Sequence, residues 1–109
     1  MLYLFHARLE KPAEMTRQDF YKLWLSEVEA AIQLAGPDKG KGAFKFSGFD
    51  EFVAIFDFVS HEEIDQFFQA LPIFKQNHQD IIKDVQLRPV RELGSWLEHL
   101  RVLASASDT

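Results

Sequence analysis

A chain of 109 residues with 12 Lys plus Arg against 17 Asp plus Glu, a net charge of −5, has the length of one domain and the wrong sign for nucleic-acid phosphates or anionic membrane surfaces. Hydrophobic residues make up 47% and charged residues 27%, so enough apolar side chain is available to offset the ordering entropy and the chain folds. No cysteine is present, which excludes disulfides, thiolate nucleophiles and thiolate-bound metals or clusters.

Apolar runs stop far short of the roughly 20 residues that span a bilayer. The start, Met1-Leu2-Tyr3-Leu4-Phe5-His6, lacks the cationic region and small-residue cleavage site of a secretory signal. A soluble, cytoplasmic protein is expected. Eleven Phe are more large rings than so small an interior readily holds, which suggests a second apolar surface.

Residues 2–9 are rich in aromatic and branched side chains and end before Pro12, the pattern of a first strand. Thr16 stands three residues before Asp19, an acidic variant of the capping box. Phe20, Leu23, Trp24, Val28 and Ala31 follow at helical spacing and predict a helix that stops at Gly36-Pro37. Residues 36–42 are then expected to form a flexible loop. Residues 43–48 and 52–58 read as two strands of a hairpin across Gly48-Phe49-Asp50-Glu51. Ser60 and Glu63 form a Ser-x-x-Glu capping box for a second helix carrying Ile64, Phe67, Phe68 and Leu71 and ended by Pro72. A fourth strand is expected over 81–88, closed by Pro89, and Leu93, Trp96, Leu97, Leu100 and Leu103 mark a C-terminal helix. The chain thus divides into a body over 1–90, an amphipathic helix over 91–104 and a fraying tail over 105–109.

Strand, helix, strand, strand, helix, strand is the split βαβ order of ferredoxin-like α+β domains: an antiparallel four-stranded sheet with two helices on one face. Strand three offers Phe52, Ala54, Phe56 and Phe58 on one side and Val53 and Ile55 on the other, so both faces require cover. Two helices cover one face. The other is expected to meet a second copy of the sheet in a homodimer, a dimeric α+β barrel, and the C-terminal helix to dock on the partner or on the barrel's outer edge.

Over residues 1–74 the sequence resembles the muconolactone delta-isomerase family, in Pro12-Ala-Glu-Met15, Glu27 and Glu29, Lys45, Gly48, Phe56-Asp57 and Leu71-Pro-Ile-Phe74. The segment Met15-Thr-Arg-Gln-Asp-Phe-Tyr-Lys-Leu-Trp24 is similar to the first helix of EthD-like proteins, another branch of dimeric α+β barrels. The first resemblance implies a cofactor-free isomerase of aromatic catabolism that shifts a double bond in a lactone by proton abstraction and return, in homo-oligomers built from dimers. In the alignment with that family its first-strand histidine falls at Leu4, a lysine at His6 and a histidine after Gly48 at Phe49, so muconolactone itself is not the expected substrate.

Proton transfer beside a carbonyl needs a base near neutral pKa, a donor for the developing oxyanion and a pocket that excludes water. Glu27 shares the apolar stripe of helix one, where burial would raise its pKa and suit it to shuttle a proton. A boundary glutamate paired with a strand cation is the plainer reading of the same position. Lys45 and His6 are the candidate oxyanion donors, although a solvated lysine and a histidine hydrogen-bonded within the sheet are as consistent with the sequence. Trp24, Phe44 and Phe56 are expected to line the substrate pocket between helix one and the sheet.

The glycines at 36, 40 and 42 follow a helix, whereas phosphate-binding glycines follow a strand and open a helix. The four histidines include no pair at helix-ligand spacing, and no Gly-x-Ser-x-Gly occurs. No cofactor and no metal are expected, and neither nucleic acid nor membrane as a partner. Two other readings stay open: a small-molecule-binding barrel without catalysis, and an EthD-like cofactor-free monooxygenase.

Overall fold

The structure, a computed structural model, describes residues 1–106. Four strands, β1 (Leu2–Leu9), β2 (Gly40–Lys45), β3 (Glu51–Asp57) and β4 (Ile82–Val90), form one sheet in the order β2-β3-β1-β4, with every neighbouring pair antiparallel. Helices α1 (Arg17–Lys39), α2 (His61–Gln69), α3 (Pro72–Lys75) and α4 (Leu93–Ser105) complete the chain, with a 3₁₀ turn at Gln79–Ile81. This is the expected α+β split βαβ topology.

Alternation along the central strands decides which side faces the helices. Phe5, Ala7 and Leu9 of β1 and Ala54 and Phe56 of β3 are buried, and their register, Phe5 opposite Ala54, keeps them on one face. Rings from α2 close over them, with Phe5 and Phe68 centroids 4.8 Å apart and Phe56 and Phe67 5.0 Å apart. A second cluster joins Leu9, Phe20 and Leu23 to Ile73 and Ile81 at the other end of the sheet. On the opposite face Leu4, His6, Val53 and Ile55 are half-buried and belong to neither core cluster. The surplus of Phe is resolved in the same way: Phe44, Phe46, Phe49 and Phe74 stay exposed.

Both expected caps form. Thr16 Oγ1 accepts from the Asp19 N–H, and Ser60 Oγ accepts from the Glu63 N–H, each at 3.1 Å. Gly36 ends the regular part of α1 at φ 62°, ψ −175°, a conformation that glycine adopts without a Cβ penalty. The segment expected as a flexible loop, 36–42, is ordered: a helical turn runs from Pro37 to Lys39 and β2 begins at Gly40. Its compactness follows from Pro37 starting a new turn at its fixed φ and from Gly42, at φ 155°, absorbing the bulge between Gly40 and Gly42 in the β2–β3 ladder.

Three further boundaries shift. Strand β2 starts and ends earlier than 43–48, because Phe46 and Gly48 belong to the turn closed by the Phe46 N–H donating to the Glu51 oxygen at 2.9 Å. Pro72 ends α2 as expected and opens α3. Pro89 lies within β4, opposite Tyr3; β4 is an edge strand, where a residue without an N–H costs no ladder bond on its outer side. Helix α4 runs through Ser105, and the rest of the tail expected to fray, residues 107–109, lies outside the described residues.

Candidate functional site

The two core clusters leave a gap between α1 and the sheet. A cavity of about 660 Å³ fills it, floored by Phe5, Phe52 and Phe56 and flanked by Trp24 and Glu27 of α1 and by Ala43, Phe44 and Lys45 of β2. That volume lies within the range of small-molecule sites, which are mostly apolar with a few fixed polar groups. Apart from the Trp24 indole, the polar side chains at its wall are Tyr21, Glu27 and Lys45.

Glu27 is half-buried, and its Oε1 accepts from the Ile73 N–H at 2.9 Å. Ile73 is the second residue of α3, and the Pro at the first position has no N–H to give, so the glutamate satisfies a free donor of that helix start. Burial pushes the Glu27 carboxyl above the ordinary carboxylate range, and the Ile73 N–H, which favours the charged form, partly opposes it. The Leu71-Pro-Ile-Phe74 turn thus holds the carboxylate at the cavity wall. A carboxyl with a raised pKa beside an apolar cavity can take up and return a proton.

The other expected residues divide. Trp24, Phe44 and Phe56 all line the cavity; Phe56 is buried in its floor, whereas Phe44 stands on the edge strand at the rim and is 69% exposed. Lys45 lines it as well, and its Nζ donates to the Phe46 oxygen at 3.1 Å. Among the described residues no ion pair joins it to Glu27. His6 is not brought to this cavity. Alternation along β1 puts it on the open sheet face, opposite Val53, where its Nε2 meets Glu51 Oε2 at 2.5 Å and its ring lies 5.6 Å from Phe46.

Tyr21 was not singled out from the sequence. The signal was present: Tyr21, Leu25, Val28 and Ile32 recur at i, i+4, i+7 and i+11, a second apolar stripe on α1 turned away from the one through Phe20 and Leu23. Val28, expected in the first stripe, belongs to this second one and is 43% exposed. All four residues line the cavity. Among the described residues no group of three or more His, Asp or Glu could hold a metal ion, and no helix is long and apolar enough to cross a membrane.

The profile of the muconolactone delta-isomerase family matches residues 1–96. The chain is similar to the crystal structure of a muconolactone isomerase, at 20% identity over 84% of this chain and 90% of the other, with a TM-score of 0.65. It is also similar to 5-chloro-2-hydroxyhydroquinone dehydrochlorinase from Burkholderia phenoliruptrix AC1100, solved with 2,5-dihydroxybenzoquinone, at 15% identity over 84% and 95% of the two chains and a TM-score of 0.59. No curated protein matches the sequence closely enough to count as a relative.

Proposed function

Because the chain belongs to the muconolactone delta-isomerase family, we propose that it is a cofactor-free proton-transfer isomerase that shifts a double bond in a small cyclic or aromatic-derived molecule. It works in the cytoplasm in aromatic catabolism, as a homodimer paired through its open sheet faces. The observation that carries this reading is Glu27, a half-buried carboxyl with a raised pKa on the wall of an otherwise apolar cavity of about 660 Å³. In the reaction the Glu27 carboxylate removes a proton from the carbon next to, or conjugated with, a ring carbonyl. The electron pair moves onto the carbonyl oxygen as an enolate, and the same carboxyl returns its proton at the far carbon of the shifted double bond, so atoms and charge balance without a redox partner. Lys45 at the rim supports the negative oxygen, and the rings of Trp24 and Phe56 hold the substrate ring away from water.

The test follows deuterium from solvent into an unsaturated five-membered lactone by NMR. The wild-type chain should exchange and isomerise the probe, and Glu27→Gln should slow both by about 10²–10⁴. The amide oxygen can still accept from the Ile73 N–H, so the fold is kept while the proton acceptor is lost. Full turnover by Glu27→Gln overturns the mechanism.

A second reading, a binding barrel without catalysis, draws support from two observations: Glu27 already has a structural partner in the Ile73 N–H, and His6 lies on the other face of the sheet. It predicts that the lactone binds in the cavity and no deuterium enters.

A further inference from the structure

A single lactone ring does not fill the cavity of about 660 Å³. At about 30 Å³ per water in the liquid, that space takes on the order of 20 non-hydrogen atoms, whereas a bare five-membered lactone brings its five ring atoms and a carbonyl oxygen. The walls are long as well. Tyr21 and Ile32 both line the cavity from α1, about 16 Å apart along the helix. Phe52 and Phe56 both line it from β3, about 13 Å apart along the strand.

The two ends of this trough differ in chemistry. Glu27 is held by the Ile73 N–H, the Tyr21 ring lies 5.9 Å from that of Phe20, and Trp24 packs with the same cluster of Leu9, Phe20, Leu23, Ile73 and Ile81. Lys45 stands opposite Phe52 in the β2–β3 ladder, and Phe52 packs on that cluster too. The polar groups therefore gather at one end. The other end is bounded by Phe5, Phe56, Phe67 and Leu71 of the first cluster, with Ala31 and Phe68 packed against it, and offers only apolar surface. Charge is equally one-sided: among the described residues Lys45 is the one cation at the cavity wall and Glu27 the one carboxylate. Lys45 is exposed and already donates to the Phe46 oxygen.

We infer that the cavity takes an uncharged substrate of two or three rings, with an unsaturated lactone or ketone head between Glu27 and Lys45 and an aromatic tail lying toward Phe56 and Phe67. The head rests on the isomerase reading above; the tail rests on the length and apolarity of the far end. A free carboxylate on the substrate has no place in the trough, because beside the head it meets Glu27 and beyond it no cation. The tail stays intact in the reaction. The proton leaves the carbon next to the head's carbonyl and returns at the ring carbon that bears the tail, so the molecular formula is unchanged.

The test separates binding from turnover by using saturated lactones, which cannot isomerise. Calorimetry on the wild-type chain compares γ-butyrolactones that carry a naphthyl, a methyl or a carboxymethyl group on the ring. The naphthyl lactone should bind at least about 30-fold more tightly than the methyl one, since each added apolar carbon is worth a several-fold gain in such a pocket, and the carboxymethyl lactone should bind least. Ala43 lines the cavity from β2 and is exposed, so Ala43→Trp intrudes on the trough without disturbing the core. It should weaken the naphthyl lactone by about tenfold or more and narrow its lead over the methyl one. Equal or tighter binding of the carboxymethyl lactone, or a naphthyl preference that survives Ala43→Trp, overturns the inference. Turnover of the corresponding unsaturated naphthyl lactone is read separately by NMR. Tight binding without isomerisation upholds the ligand class and defeats the isomerase, whereas isomerisation with a preference for the carboxymethyl lactone does the reverse.

Discussion

Helices α2 and α4 carry the same kind of sequence signal and end in opposite situations. The α2 stripe, Ile64 and Phe67, is buried against the sheet; the α4 stripe, with a tryptophan and four leucines, has no buried residue. An apolar stripe states that a helix needs a surface. It does not state on which chain the surface lies. The difference comes from the links: α2 follows β3 through a Ser60-capped turn and folds straight back over the sheet, whereas α4 leaves an edge strand through two residues.

The largest effect should come from the covered side. Phe58, 1% exposed and ringed by Phe56 and Phe67 at 5.4 and 5.5 Å, should lose about 3–5 kcal/mol of stability in Phe58→Ala, measured by urea unfolding. Leu100→Ala on α4, measured in dilute solution, should lose under about 1 kcal/mol, because no transfer from water is undone. An equal loss in the two variants would break the contrast between the covered core under α2 and the uncovered stripe of α4.

Capping sharpens it further. Ser60→Ala should cost about 1 kcal/mol, since the hydroxyl is the side-chain acceptor for the Glu63 N–H at the start of α2. At the α4 start, Glu92 makes no side-chain cap bond, and Glu92→Ser should raise helicity of the dilute chain in circular dichroism. It should change the unfolding midpoint little, because helicity in a helix with no buried residue is not coupled to the core.

The smallest effect concerns pH. Burial raises the Glu27 carboxyl above its unfolded value, so the folded state holds its proton more tightly. The associated stability is present below the ordinary carboxyl pKa and is lost as pH rises through the raised one. Wild type should therefore lose slightly more stability than Glu27→Gln as pH increases across that window, in parallel urea titrations. A difference of the opposite sign would mean that the Ile73 N–H outweighs desolvation.

Much of the fold was legible in local chemistry. The capping boxes at Thr16 and Ser60, the Gly36 break and the Phe52–Phe58 alternation each specify their element through contacts within a few residues. Of the residues expected at the candidate site, Glu27, Trp24, Phe44, Lys45 and Phe56 line one cavity, because helical spacing and strand alternation place each of them on a definite face. His6 separated from them because a strand's two faces are equivalent in sequence until something covers one. Tyr21 was missed because α1 carries two apolar stripes, and helical spacing alone gives no means of ranking them.

What the sequence determined by itself is the four strands, the helices α1, α2 and α4, and their order, because caps, glycine breaks and hydrophobic periods act over one or two turns of chain; the short α3 after Pro72 was not among them. What the tertiary structure decided is which face of the sheet the helices cover, and with it the partners of Glu27 and the separation of His6. It also decided that α1 shows an apolar stripe to solvent while α4 shows another. These are contacts between residues far apart in sequence, set by the strand order and by a two-residue link, and no local pattern encodes them.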